Sequence, residues 1–337
     1  MHTATLPTPY VPLEDIRAAQ RRLGRFLEPS PLVPAAAYRG RLGCELSLKL
    51  EVLLPTHAFK VRGALNALLT MNDAARERGV VTASAGNHGL GVAYAAQQLG
   101  VRATVVLPTT TPELRVQNIR ELGGEVIVTG DDWNAANEVA HQLIDERGST
   151  YLSPFDDPAV MAGQGTIALE ILEQLPEVDL IVCSVGGGGL ISGIASAVKQ
   201  LRPDVRVVGV ETLGADCVSQ SLARGELVTL PTFGSIAESL GTRRSSARPF
   251  SIIRTGVERV VTVPDARAVG ELAWLLEHEK LLVEPAASCT LAALTDGLIP
   301  DIGGRRVVAL MCGGNTTLAQ LQGWQKRFGE AALVTRP

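Results

Sequence analysis

From residue 80 onward, apolar and polar positions alternate in a recurring order: a short β-branched run, a glycine or proline break, then an amphipathic stretch. VVTASA at 80–85 precedes HGLGVAYAAQQLG, and RATVVLP at 102–108 precedes PELRVQNIRELGG. EVIVTG at 125–130 leads into DDWNAANEVAHQLIDERG, and DLIVCSVG at 179–186 into a helical pattern through Lys199. RVVGVE at 206–211 follows, and RRVVALMC at 305–312 closes the series. Strands separated by helices of about ten to fifteen residues predict βαβ crossovers, hence an α/β fold with parallel-rich sheets covered on both faces. The segment after Pro231, through GTRRSSARPF at 241–250, has the least regular pattern and predicts a surface loop.

A chain of 337 residues suggests two lobes, at roughly 150 residues each, with a core large enough to need no disulfide or structural metal. No Gly/Ser/Pro linker or low-complexity tract separates them, so the lobes are expected to pack together. Lysine and arginine number 31 against 35 aspartates and glutamates, and aromatics are only 4%, which argues against a nucleic-acid binder. The five cysteines are scattered, with no CxxC pair from which to read a disulfide framework or zinc knuckle. The first residues carry no apolar stretch behind a basic one, and no apolar run approaches the roughly 18 residues of a membrane span. A reducing cytoplasm is the expected compartment.

In doubly wound sheets ligands sit beyond the carboxyl ends of the strands, so motifs at strand ends carry the most information. Gly186, Gly187, Gly188 and Gly189 end one strand and open the helix LISGIASAVKQL. A tight turn needs one or two glycines, whereas four let several backbone N–H groups converge beside a helix N-terminus, which suits a phosphate. No GK[ST] follows, and Ile191 stands where the third glycine of a dinucleotide loop belongs, which counts against a nicotinamide enzyme. Lys60, in PTHAFKVRGALNAL, is a usable amine nucleophile if its surroundings are apolar; alone, a lysine is a solvated surface charge. Ser84-Ala85-Gly86-Asn87-His88-Gly89 ends another strand and fits either a substrate carboxylate or an ordinary capped turn. Cys312, at the end of the last strand, reads as a buried, neutral thiol.

Together, HAFKVRGALNAL, TASAGNHGLGVAYAA, PFDDPAVMAGQGTIALEIL, VGGGGLISGIA, LLVEPAAS and LMCGGN resemble the pyridoxal-phosphate enzymes of fold type II, in particular the serine/threonine dehydratase and serine racemase group. The resemblance runs from about Ser30 to about Leu321. It implies a large cofactor-binding domain from residues 1–52 and 156–337, and a small domain, residues 53–155, that closes over substrate. It further implies that Lys60 forms the Schiff base with pyridoxal 5'-phosphate, Phe59 lies against its ring, and Asn87 bonds its 3-hydroxyl. Gly186 to Gly189 would hold the phosphate, and Cys312 would face the ring nitrogen. Ser84, Ala85, Asn87 and His88 would bracket the substrate carboxylate. The implied activity is elimination of water from a β-hydroxy L-amino acid such as threonine or serine, giving a 2-oxo acid and ammonia. The alternatives are a dehydratase for phenylserine or 3-hydroxyaspartate, a serine racemase, and a non-catalytic amino-acid-binding protein.

Three departures from the group's pattern matter. Ala85 replaces the serine that serves racemases as proton donor, favouring elimination. Ser239 stands in IAESLG where many relatives have glycine. In Glu211-Thr212-Leu213-Gly214-Ala215-Asp216-Cys217, Glu211 and Ala215 match positions that bind magnesium in some relatives, but Cys217 replaces the last carboxylate. A magnesium or potassium ion is therefore weighed against that substitution. The chain shows no carboxy-terminal regulatory domain, so feedback by isoleucine is not expected. A homodimer or homo-oligomer is expected by analogy.

Overall fold

The structure, a computed structural model, describes residues 9–84, 86–131 and 133–332, excepting the side chains at 134 and 330–332. Two sheets organise it. The six-stranded sheet has the order β1-β2-β10-β7-β8-β9, with β1 (Leu32–Pro34), β2 (Glu45–Leu50), β7 (Leu180–Ser184), β8 (Arg206–Thr212), β9 (Arg259–Val263) and β10 (Arg306–Met311). Within it β1 runs antiparallel to β2, and the other pairings are parallel. The four-stranded sheet is parallel throughout and has the order β5-β4-β3-β6. Its strands are β3 (Val80–Ala83), β4 (Ala103–Leu107), β5 (Glu125–Val128) and β6 (Thr150–Tyr151). The α/β class and parallel-rich sheets expected from the alternation are both present. Every residue of β3, β4 and β7 is buried, as strands covered on both faces require.

The irregular segment departs in part from expectation. Residues 225–246 form a loop carrying a single 3-10 turn, Glu238–Leu240, but ARPF opens a helix, Ala247–Gly256. Pro249 falls in its first turn, where the missing N–H has no intrahelical partner to lose.

One helix links the parts that bear on function. Pro158–Gln174 begins at Asp157, whose carboxylate accepts from the N–H of Ala159 at 2.7 Å. On one side lies the helix Lys60–Thr70; on the other, the helix Gly189–Leu201. Glycines make both crossings close. A methyl group on Gly163 would come within 2.6 Å of the Arg62 carbonyl oxygen, and one on Gly193 within 2.7 Å of the Gly165 nitrogen.

A buried ion cluster reinforces the first crossing. The Arg62 guanidinium donates to Glu51 through Nε at 2.7 Å and through Nη2 at 2.9 Å, and to Glu170 through Nη2 at 2.9 Å. Lys49, near the end of β2, donates to Glu170 at 2.6 Å. All four side chains are buried, so their charges stand in a medium that makes pairing obligatory. Among the described residues, no helix is long and apolar enough to cross a membrane.

Candidate active site

The site lies where the carboxyl ends of β7 and β10 meet the start of the helix Lys60–Thr70, with the helix Asn87–Leu99 facing it. Phe59 donates its N–H to the Cys312 carbonyl at 3.0 Å, and Ala58 forms an antiparallel bridge with Gly313. These contacts fix Lys60 beside the end of β10. Its amine donates to the Pro154 carbonyl at 2.7 Å and lies 5.1 Å from the centroid of the buried Phe59 ring. Burial pushes the Lys60 pKa down to about 8, because the charged form loses solvation.

Gly186 to Gly189 form the turn between β7 and the helix Gly189–Leu201. Gly188 has φ +95°, a conformation glycine adopts without strain. A methyl group on Gly187 would overlap the Phe155 ring, and one on Gly189 would come within 2.7 Å of the Phe155 Cα. No side chain caps the helix, so its first N–H groups stay available to an anion. The Gly187 carbonyl is held from behind by the Ser245 hydroxyl at 2.9 Å.

Cys312 is buried, and its sulfur lies 3.4 Å from the Ser184 hydroxyl on the neighbouring β7. Burial, with the charge of Glu284 adding to it, pushes the thiol up to about 12, so it is neutral at physiological pH.

Asn87 is the first residue of its helix, which also lacks a side-chain cap. Its Nδ2 donates to Glu284 Oε1 at 2.9 Å, and its Oδ1 accepts from Asn315 Nδ2 at 2.7 Å. Glu284 also accepts from the Asn315 backbone N–H at 2.9 Å and from the Ser239 hydroxyl. Ser84 is half-buried, and its hydroxyl accepts from the Gly86 N–H at 3.3 Å. Ala85 lies outside the described residues. His88 is buried, with Nε2 3.0 Å from the Leu152 carbonyl and Nδ1 without a partner. Burial, aided by the charge of Lys60, pushes its pKa down to about 3. The ring is thus neutral, donates through Nε2, and keeps a lone pair at Nδ1. A lone pair offers nothing to a carboxylate, so His88 has only its backbone N–H for that purpose.

Several participants escaped the sequence reading: Glu284, Asn315, the Pro154 carbonyl and the Phe155 ring. A carboxylate set in the apolar run LLVEPAAS just before a helix-opening proline is the signal that could have found Glu284. On the cation question, the Glu211 carboxylate accepts from the N–H groups of Val218 at 3.0 Å and Ser219 at 2.7 Å, capping the helix Cys217–Arg224. Burial pushes Glu211 up to about 7. Ala215 sits on the turn before that helix. Among the described residues, no group of three or more His, Cys, Asp or Glu side chains is arranged to hold a metal ion.

A family described as "Pyridoxal-phosphate dependent enzyme" matches residues 23–313. The chain belongs to that family. The enzyme is 41% identical over 305 residues to an L-threonine ammonia-lyase of Geobacter sulfurreducens, covering 90% of this chain and 76% of the relative. It is 35% identical over 319 residues to a phenylserine dehydratase of Ralstonia pickettii, covering 95% and 96%. Among solved structures, maize serine racemase superposes with a TM-score of 0.89 at 32% identity, covering 95% of the enzyme and 98% of that chain. The residues present fit the cofactor: a burial-softened amine, an uncapped helix N-terminus behind glycines that admit no side chain, and a neutral thiol at the adjoining strand end.

Proposed function

We propose that the enzyme is an ammonia-lyase that eliminates water from a β-hydroxy L-amino acid, with L-threonine or L-serine as substrate. The observation that carries this reading is the Lys60 amine, lowered towards neutrality by burial alone and placed beside a neutral Cys312 at the meeting of β7 and β10. Bound pyridoxal phosphate supplies an electron sink for the pair released at the substrate α-carbon.

The chain's own groups do the rest. Lys60 would hold the cofactor through its amine, and the same amine, when free, would take the α-proton as a base whose pKa suits neutral pH. Gly186 to Gly189 and the N-terminus of the helix Gly189–Leu201 hold the phosphate. Backbone N–H groups of the Ser84–His88 segment hold the substrate carboxylate, and Asn87, oriented by Glu284 and Asn315, contacts the cofactor's 3-hydroxyl. Cys312 would stand on the side of the ring nitrogen and, being uncharged, would leave the sink weak. A weak sink favours prompt loss of the β-hydroxyl over transamination. Ala85 stands in the sequence where serine racemases carry a proton-donating serine and has no proton to give, which disfavours racemisation.

In this reading residues 53–155 form the small domain that closes over substrate and excludes water, while residues 1–52 and 156–337 form the large one. The enzyme works in the cytoplasm as a homodimer.

A second reading, a dehydratase for phenylserine or 3-hydroxyaspartate, is favoured by Ser239, which places a hydroxyl on Glu284 inside the site. Incubating the holoenzyme with threonine, serine, phenylserine and 3-hydroxyaspartate and measuring 2-oxo acid separates the two. The highest kcat/KM is expected for threonine or serine. No product from any of the four, or product unaffected by Lys60→Ala, rejects the proposal.

A further inference from the structure

The 3-10 turn Glu238–Leu240 touches a different part of the molecule with each of its three residues. The Glu238 carboxylate accepts from Arg115 Nη2 at 2.8 Å, and Arg115 belongs to the helix Glu113–Glu121, which joins β4 to β5 of the four-stranded sheet. Ser239 donates to Glu284, the carboxylate that orients Asn87. The Leu240 backbone packs on the glycine turn so closely that a methyl group on Gly186 would come within 3.0 Å of the Leu240 Cα. The base of the turn is fastened to the six-stranded side: the Ile236 N–H donates to Asp265 at 3.0 Å, and the Ser235 hydroxyl donates to Asp265 at 2.6 Å. One short turn, rooted on one sheet, is therefore gripped at its tip from the other.

Arg115, Glu238, Ser239, Glu284, Asn315 and Gln320 line a shared cleft there. Glu238 is about half exposed and Arg115 less so, so the pair is a modest contributor to global stability. Its position gives it a larger role in geometry.

We propose that Arg115 is a positioning residue for the reaction: by holding Glu238 it keeps Ser239 on Glu284 and Leu240 over the glycine turn, which couples approach of the two sheets to assembly of the site. When the pair is broken, the turn's tip loses its ion pair to the four-stranded side and is left with the longer Asn87 Nδ2–Ser239 hydroxyl contact at 3.4 Å. Ser239 and Leu240 then relax together, loosening both the Asn87 side and the phosphate side of the cofactor site. The inference deepens the reading of the site given above and rests on it for the substrate used.

The test is a charge-swap cycle in the holoenzyme, using Arg115→Glu, Glu238→Arg and the double variant. Three quantities are read: kcat and KM for the best of the four β-hydroxy amino acids, the rate of cofactor loss from the visible absorbance, and the urea unfolding midpoint. Each single variant is expected to raise KM and the rate of cofactor loss about three- to tenfold, with kcat within about twofold and the midpoint unchanged. The double variant is expected to recover both quantities to within about twofold of the starting enzyme. Arg115→Gln and Glu238→Gln, which introduce no repulsion, should show the same effects at a smaller scale. Single variants that keep their KM and cofactor, or a double variant as impaired as the singles combined, overturn the proposal. If no β-hydroxy amino acid is turned over, the reaction assignment fails while cofactor loss still decides the role of Arg115.

Discussion

The Nζ of Lys60 donates to the carbonyl of Pro154, the residue just before the ring that packs on the glycine turn. A carbonyl accepts from an amine in either protonation state, so this bond orients the nucleophile without choosing its charge. Burial makes that choice, and the pKa falls to about 8. Covalent uptake of the cofactor by the apoprotein requires the free amine, and its rate should rise with pH with a midpoint near 8. Following the visible absorbance after mixing at a series of pH values checks this. A midpoint near that of an ordinary lysine would show the amine to be solvated.

The same shift has a signature in stability. The folded apoprotein releases the Lys60 proton near 8, the unfolded chain near the 10.5 of an ordinary lysine, so between those values the unfolded state binds more protons. Stability conferred at this position therefore rises with pH through that window and is lowest below it. Urea unfolding of the apoprotein at pH 7 and pH 10, compared with Lys60→Met, should show a gain in the parent that the variant lacks.

Arg62 stands between two buried carboxylates. Arg62→Ala would leave Glu51 and Glu170 facing one another with Lys49 as the remaining cation. A loss of about 3–5 kcal/mol in urea unfolding is expected, the cost of stranding buried charge. A loss below about 1 kcal/mol would mean that solvent reaches the cluster.

At the glycine turn, Gly188→Ala forces a side chain into φ +95°, and Gly187→Ala drives a methyl group into the Phe155 ring. The first should cost about 1–3 kcal/mol in stability. Both should weaken cofactor retention, measured by equilibrium dialysis, by about tenfold or more, since about 1.4 kcal/mol corresponds to that factor. Retention equal to the parent in both would remove the turn from the phosphate site.

Cys312 should resist alkylation. Its thiol is pushed up to about 12, so the thiolate that attacks reagents is scarce near neutral pH. Iodoacetamide treatment of the native enzyme followed by peptide mass spectrometry should leave Cys312 unlabelled, and labelling in urea should be complete. Cys312→Ser, also uncharged, should keep kcat within about tenfold.

The six strands readable from the sequence, β3, β4, β5, β7, β8 and β10, are β-branched runs bounded by clear breaks. β2 was hidden because the polar residues Glu45, Ser47 and Lys49 alternate with its leucines, and a lysine reads as surface until its partner is known. That partner, Glu170, lies 121 positions further along the chain. β6 is only two residues long and produces no pattern, whereas β9, RVVTV before Pro264, is a β-branched run of the same kind that went unread. At the site, Lys60, Asn87 and the glycine quartet lie in contiguous motifs that the sequence displays, and the structure brings them together. The Glu284 network is different in kind: it joins residues 87, 239, 284 and 315, and only folding makes them neighbours. His88 shows the converse. Its position was legible, but its charge state depends on burial and on the Leu152 carbonyl.

The helix Pro158–Gln174 works as a jig. Because the helix that opens at Lys60 and the helix that opens at Gly189 are each seated on it through glycines, the spacing of those two helix starts is set chiefly by backbone contacts, with the Arg62–Glu170 pair reinforcing the first. Substrate range can therefore drift at Ser239 or around the cleft mouth without altering that span. Any bulk gained at Gly63, Gly163 or Gly193 would shift the jig itself and reach the chemistry from well outside the pocket.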